Sequence, residues 1–238
     1  MRNVFNFNPG PAVLPEPVLE STSKAVLNFA NTGMSIMEVS HRSKEFDALL
    51  VETESLVAEV MGIPENYKVL FLQGGASLQF SMVPMNLLVD GKTADYIDTG
   101  SWSSKAIKEA QKVGKVNIAA STKGDKYTRI PAPSELKLTP DAVYCHITSN
   151  NTIYGSQWQT FPDTGSVPLV ADMSSDILSR TFDVSKFGII YAGAQKNMGP
   201  AGVTVVIIRK DLAENAPPNL PTMLQYSTHI ENSSTFNT

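Results

Sequence analysis

The sequence predicts an α/β protein, a mostly parallel mixed sheet with helices on both faces. Short apolar runs bounded by turn residues recur at 68–72, 93–98, 115–120, 142–148, 167–171, 188–192 and 203–208. Stretches of helical periodicity separate several of them, and strand–helix alternation of this kind builds layered sheets. The chain has 238 residues, 42% of them apolar, which is enough for a sizeable core.

Each element has a local reason. Pro9, Pro11 and Pro15 around Gly10 make residues 1–15 an extended arm, since proline cannot donate to a helix or a ladder. Residues 17–31 read as a helix with Val18, Ala25, Val26 and Phe29 on one stripe. Residues 43–61 read as an amphipathic helix capped by Ser43, with Phe46, Leu49, Leu50, Leu56, Val57 and Val60 on the apolar face and Gly62 and Pro64 ending it. The strand at 68–72 runs through a turn at 73–77 into a helix at 78–88. The strand at 93–98 is followed by a turn at 100–104, a helix at 105–113 and the strand at 115–120. A polar loop, 149–155, follows the strand at 142–148, and three further apolar strands complete the set. Pro217-Pro-Asn-Leu-Pro221 is turn-rich, and no internal repeat is present.

Composition excludes several classes. The net charge of −4 argues against a nucleic-acid electrostatic footprint. No apolar run approaches the ~20 residues of a membrane span, and the N-terminus lacks the apolar segment of a signal peptide, so a cytoplasmic location is expected. Cys145, the single cysteine, lies in the apolar run 142–147 and reads as structural; it permits no intrachain disulfide. His41, His146 and His229 are scattered, and no metal-ligand spacing appears.

Chemistry concentrates around Lys196. It sits in Ile189-Ile-Tyr-Ala-Gly-Ala-Gln-Lys-Asn-Met-Gly-Pro-Ala-Gly202, an apolar strand followed by small residues and a Gly/Pro-rich turn. An amine held there can be desolvated, which lowers its pKa and makes it nucleophilic. Another strand, Val167-Pro-Leu-Val-Ala-Asp172, ends in a carboxylate 24 residues earlier. Such a pair suits a pyridoxal phosphate enzyme, in which a lysine forms the Schiff base and an acid keeps the pyridine nitrogen protonated. The plain alternative is a surface lysine in a β-turn and a helix-capping acid. Gly74-Gly-Ala-Ser77 follows a strand and opens a helix, a credible phosphate cradle or a simple tight turn. It matches neither the Walker A loop nor the dinucleotide fingerprint. Trp102, in Gly100-Ser-Trp-Ser, can stack on a planar ring or serve as a partly buried anchor. The loop Ser149-Asn-Asn-Thr152 offers a hydroxyl and amides, or ordinary turn chemistry. All five features lie at predicted C-terminal ends of strands, the edge at which open α/β sheets bind ligands. One planar, phosphorylated, electrophilic ligand would use them all. A short-chain dehydrogenase is disfavoured, since the Tyr191-to-Lys196 spacing is one residue too long and no glycine fingerprint opens the chain.

The chain resembles the phosphoserine aminotransferase family, pyridoxal phosphate enzymes of the aspartate aminotransferase fold type. The resemblance runs through Phe5-Asn-Phe-Asn-Pro-Gly-Pro-Ala12-Val-Leu-Pro15, Ser40-His-Arg-Ser43, Phe71-Leu-Gln-Gly-Gly-Ala-Ser77, Thr99-Gly-Ser-Trp102, Ala192-Gly-Ala-Gln-Lys-Asn-Met-Gly-Pro-Ala-Gly202 and Ser234-Thr-Phe-Asn-Thr238. It implies that Lys196 is the Schiff-base lysine and Asp172 the partner of the pyridine nitrogen. Trp102 would stack on the ring, Thr152 would contact its phenolic oxygen, and Ala76, Ser77 and Gln195 would hold the phosphate. Asn237 and Thr238 would reach the phosphate of a neighbouring subunit's cofactor, which implies a homodimer with shared sites. His41 and Arg42 would bind the substrate's distal anion across the same interface.

By the same resemblance the reaction moves an amino group from L-glutamate to 3-phosphohydroxypyruvate, giving O-phospho-L-serine and 2-oxoglutarate, in serine and pyridoxine biosynthesis. The rival readings are an aminotransferase of serine–glyoxylate type and a non-catalytic cofactor-binding fragment. The pair His41-Arg42 favours a doubly anionic substrate. The family continues into a smaller C-terminal domain, whereas this chain stops at Thr238. Residues 16–238 are therefore expected to be the cofactor-binding large domain, the small domain to be absent, and a separate C-terminal polypeptide to be one way of completing the substrate site.

Overall fold

The computed structural model describes residues 4–89, 91–214 and 216–237. After the arm, α1 (Glu16–Leu27) and α2 (Lys44–Met61) precede the sheet region. Then come β1 (Tyr67–Leu72), α3 (Gly75–Leu87), β2 (Thr93–Asp98), α4 (Ser101–Val113), β3 (Lys115–Ser121) and β4 (Cys145–Thr148). A two-stranded hairpin of β5 (Asn150–Asn151) and β6 (Ser156–Gln157) follows. The chain closes with β7 (Leu169–Asp172), β8 (Phe187–Gly193), β9 (Thr204–Arg209), α5 (Lys210–Ala213) and α6 (Tyr226–Glu231).

Seven strands form one sheet in the order β1-β9-β8-β7-β4-β2-β3. Strand β9 runs antiparallel to both its neighbours, β1 and β8, and the remaining pairings in this sheet are parallel. Strands β1, β2, β4, β7 and β8 thus point the same way, and their C-terminal ends share one edge. The short strands β4 and β7 are buried at every position, as strands covered on both faces must be.

Alternation assigns each strand's side chains to two cores. On one face Tyr96, Val170, Tyr191 and Val206 pack under α3, α4 and Tyr226 of α6. On the other, Ile97, Ile147, Leu169, Phe187 and Ile207 pack with Trp158, the loop residues Phe161 and Phe182, and Val57 and Met61 from the end of α2. Helices therefore cover both faces, one of them chiefly through connecting segments.

Four sequence expectations need correction. The helix read at 17–31 ends at Leu27, and Ala30 and Asn31 have φ of +48° and +59°, which an α-helix does not allow. Helix α3 starts at Gly75 and α4 at Ser101, so Ala76, Ser77 and Trp102 lie in first helical turns, not in loops. Strand β4 begins at Cys145, three residues later than its apolar run. Helix α2 has its Ser43 cap, whose Oγ accepts from Phe46 N at 3.2 Å, and a left-handed Gly62 at its end. Its apolar face is only partly covered: Leu56 is 51% and Val60 66% exposed. Periodicity reports an apolar stripe, not what lies against it.

The first core also holds buried polar rings. His146 Nε2 lies 2.8 Å from Tyr191 Oη, its ring stacks on Tyr96 at 4.8 Å, and Tyr96 Oη lies 2.8 Å from Tyr144 Oη. Burial pushes the His146 pKa down to about 3, so the folded chain holds it neutral. The unfolded chain protonates near the ordinary ~6.5. This stability is complete above that value and is lost as pH falls toward 3, because only the unfolded state gains the proton. Acidifying from pH 7 to 5 should cost about 2 kcal/mol through this residue. Asp172 works in the opposite direction, since burial raises its pKa and acid favours its folded form. Urea denaturation at the two pH values checks the point: His146→Gln should lose less stability on acidification than the parent, and an equal loss in both would remove His146 as the cause.

Candidate active site

Lys196 emerges from the end of β8 into a cavity of about 140 Å³ at the C-terminal edge of the sheet. Ala76, Ser77, Trp102, Thr152, Asp172 and Gln195, each singled out from sequence, line the same cavity. Gly75 and Asn150, from the glycine turn and the polar loop marked in the sequence, line it too, as do Thr148, Ser174 and Ser175, which sequence reasoning missed. Small polar residues in loops carry little signal on their own. The run Asp172-Met-Ser-Ser175 was the available hint, because a serine two residues past an acid can cap it.

Each group is held from its own element. The Lys196 amine donates to Thr152 Oγ1 at 2.7 Å and lies 5.7 Å from the centre of the Trp102 ring. Burial lowers its pKa, and the charge of Asp172 partly opposes this. The neutral, nucleophilic amine is thus reached at lower pH than for an ordinary lysine. Gly10 of the N-terminal arm approaches the lysine stem so closely that a Cβ there would stand 2.6 Å from Lys196 Cγ. The arm is tied to this turn by Ala12 N donating to Gln195 O at 2.8 Å.

Asp172 is 4% exposed, and burial raises its pKa, against hydrogen bonds from Ser174 and the charge of Lys196. Both Ser174 bonds fall on one oxygen: N and Oγ donate to Oδ1 at 3.0 and 2.6 Å. Ser174 Oγ in turn accepts from Gly193 N at 3.1 Å, which ties the acid to the end of β8. The other carboxylate oxygen is left to meet a cation or an N–H donor.

The start of α3 suits an anion. Gly74 and Gly75 have φ of +89° and +65°, conformations natural to glycine. The N-cap Gly74 supplies no side-chain acceptor, so the first-turn N–H groups and the helix dipole remain available. Thr148 Oγ1 and Trp102 Nε1 are buried with no hydrogen-bond partner among the described residues. A half-buried amine, an oriented acid, an aromatic plate and an open helix N-terminus suit a planar, phosphorylated ligand with an electrophilic carbon. Among the described residues no group of His, Cys, Asp or Glu is arranged to hold a metal ion.

The remaining predicted residues are elsewhere. His41 and Arg42 line a separate surface groove of about 450 Å³ with Lys44, Asn232, Thr235 and Phe236. Asn237 is exposed next to that groove, and Thr238 lies outside the described residues. The structure therefore does not bring His41, Arg42 or Asn237 to Lys196 within one chain.

Residues 4–238 match the family model described as aminotransferase class-V. The chain belongs to the class-V aminotransferase family. Among its relatives, a phosphoserine aminotransferase of Geobacillus kaustophilus is 58% identical over 238 residues, covering 100% of this chain and 66% of the relative. The solved phosphoserine aminotransferase of Bacillus circulans subsp. alkalophilus superposes with a TM-score of 0.95 at 54% identity, covering 98% of this chain and 64% of that one. A structure described as PLP-bound phosphoserine aminotransferase from Trichomonas vaginalis gives 0.91 at 40% identity, covering 99% and 66%. This class-V chain thus spans about two thirds of the length of the proteins it matches.

Proposed function

We propose that this chain is the pyridoxal-phosphate-binding large domain, residues 16–238 behind an N-terminal arm, of an aminotransferase that converts L-glutamate and 3-phosphohydroxypyruvate to 2-oxoglutarate and O-phospho-L-serine. The observation that carries the reading is the half-buried Lys196 amine in one cavity with the buried Asp172, beneath the open N-terminus of α3. The substrate assignment is supported by the names of relatives 58% and 54% identical to this chain.

Bound in this cavity, pyridoxal phosphate supplies a carbonyl that exchanges amines and a protonated ring that withdraws electrons. The residues of the chain do the rest. Lys196 would hold the cofactor and would serve as the base that moves the proton at the substrate Cα. Its depressed pKa keeps the amine competent as a base. Asp172, fixed through Ser174, stabilises the proton on the ring nitrogen by charge pairing. The first-turn N–H groups of α3 at Ala76 and Ser77, together with Gln195, bind the phosphate. The Trp102 indole would hold a ring face and Thr152, the partner of the Lys196 amine, would supply a hydroxyl to the phenolic oxygen.

His41, Arg42, Asn237 and Thr238 serve the site of a second copy in this reading. Support comes from the groove at 41–44 and 232–236, which shares no residue with the Lys196 cavity. Exposed apolar groups on the arm and α2 add to it, Phe5 at 89% and Phe7 at 91% among them. A homodimer would cover such surface. The parent protein's place in serine and pyridoxine biosynthesis, and in the cytoplasm, follows from the same reading.

The experiment is reductive trapping. Protein loaded with pyridoxal phosphate should be yellow, and borohydride should fix the cofactor to the peptide that contains Lys196. Labelling on another lysine overturns the site, and a trapped protein without phosphoserine turnover favours the non-catalytic binding reading. Arg42→Ala should raise the KM for phosphoserine roughly 10- to 150-fold, the worth of one charge-assisted contact. An unchanged KM would remove the main argument for a doubly anionic substrate.

A further inference from the structure

We propose that Asp98 is a positioning residue for the cofactor cavity, a buried carboxylate that sets the place of both Trp102 and Thr152 without touching the ligand. The proposal rests on the cofactor reading above.

Asp98 ends β2 and is buried, and hydroxyl groups from three separate segments meet it. Its Oδ1 accepts from Ser104 at 2.8 Å and lies 3.0 Å from Ser103 Oγ. Its Oδ2 accepts from Ser121 at 3.0 Å and from Tyr127 at 3.1 Å. A carboxylate can take that many donors and a neutral side chain cannot. Ser103 and Ser104 belong to the first turn of α4 and directly follow Trp102. Ser103 Oγ also accepts from Thr99 N and Gly100 N, both at 2.9 Å, and its single proton is shared between Asp98 and the Gly100 carbonyl at 2.8 Å. The carboxylate therefore clamps the turn and the helix start that carry the indole.

The same helix start grips the Thr152 loop. Thr99 Oγ1 lies 3.3 Å from Asn151 Oδ1, and Ser101 Oγ lies 3.0 Å from Tyr154 Oη. The Tyr127 ring, anchored by its hydroxyl on Asp98, packs on Tyr154 at 4.9 Å. Gly100 comes so near this loop that a Cβ on it would stand 2.6 Å from Asn151 Oδ1. Thr152 lies between Asn151 and Tyr154, so its hydroxyl, and through it the Lys196 amine, is located by the Asp98 cluster. Nothing in the strand sequence Thr93-Ala-Asp-Tyr-Ile-Asp98 marks this acid, whose partners come from α4, β3 and the segment after it.

The test compares Asp98→Asn, Ser104→Ala and Ser121→Ala in the 238-residue protein. Ser121 donates to the same carboxylate from β3, away from α4, and is the control for a merely structural loss. The first readout needs no cofactor. Trp158 is buried, so acrylamide quenching reports mainly Trp102. Asp98→Asn and Ser104→Ala should raise quenching about twofold or more, while Ser121→Ala stays near the parent; a loosened plate is more accessible than a clamped one. The second readout is pyridoxal phosphate affinity by absorbance titration. Losing a hydrogen bond to a charged group corresponds to roughly tenfold or more, expected for the first two variants and not for Ser121→Ala.

Parent-like quenching and affinity in a folded Asp98→Asn would overturn the proposal. So would equal losses in Ser104→Ala and Ser121→Ala, which would make the carboxylate a stability element only. If Asp98→Asn does not fold, the two serine variants decide by themselves. A parent protein that takes up no pyridoxal phosphate would overturn the cofactor reading, and the quenching comparison would still judge the clamp.

Discussion

Lys196→Ala is expected to lower transamination by at least about 10²- to 10⁴-fold, the usual worth of a positioned acid–base group. The cofactor should still bind through α3, Trp102 and Asp172, but borohydride should no longer fix it to the chain. The cofactor-free chain should not lose stability. The folded pKa of Lys196 lies below that of a free lysine because burial penalises its charge. The unfolded state therefore holds more protons between the two values, and stability rises with pH through that window. Alanine removes the penalty. Urea denaturation, borohydride labelling and phosphoserine turnover measured on one preparation check all three outcomes. Turnover within tenfold of the parent would contradict the role of Lys196 as the base.

Asp172→Asn should slow the removal of the Cα proton by roughly 10²- to 10⁴-fold, since leaving a buried cation without its partner costs about 3–5 kcal/mol. Folding should be unaffected. Burial raises the Asp172 pKa, so the charged form is already disfavoured there, and the asparagine Oδ1 can still accept from Ser174 N and Oγ. Stopped-flow measurement of the half-reaction with phosphoserine separates this from weakened binding. A rate equal to the parent's, with cofactor bound, would show that the ring nitrogen does not depend on this acid.

Much of the site was legible because its residue types are unusual for their settings. A lysine among small residues, an acid ending an apolar strand and a paired glycine opening a helix each have a chemical reason that periodicity does not absorb. Their shared edge followed from the parallel sense of the strands. Ser174, Ser175 and Thr148 were not legible, because a serine or threonine at or just past a strand end is ordinary turn chemistry until its neighbour is known. Only the family resemblance marks His41 and Arg42 for an anion, and no spacing rule tells which groove they line. The pattern around Trp102 reads as a loop, whereas the Ser103 hydroxyl accepts from Thr99 N and Gly100 N and α4 starts one residue before the indole.

The sequence by itself determined the strands, their mostly parallel order of use, and the lysine, acid and glycine turn of the cavity. These depend on local patterns of apolarity, backbone freedom and charge that neighbours along the chain dictate. The tertiary structure alone decided that Gly10 abuts Lys196. It also decided that Asp98 gathers hydroxyls from β3 and Tyr127 as well as from the neighbouring start of α4, and that the His41–Arg42 groove stands apart from the lysine. Gly10 meets Lys196, and the segment at 41–44 meets the one at 232–236, across nearly two hundred positions of sequence, while Ser121 and Tyr127 reach Asp98 from 23 and 29 residues on; such distances are set by how strands and helices pack and by no spacing along the chain.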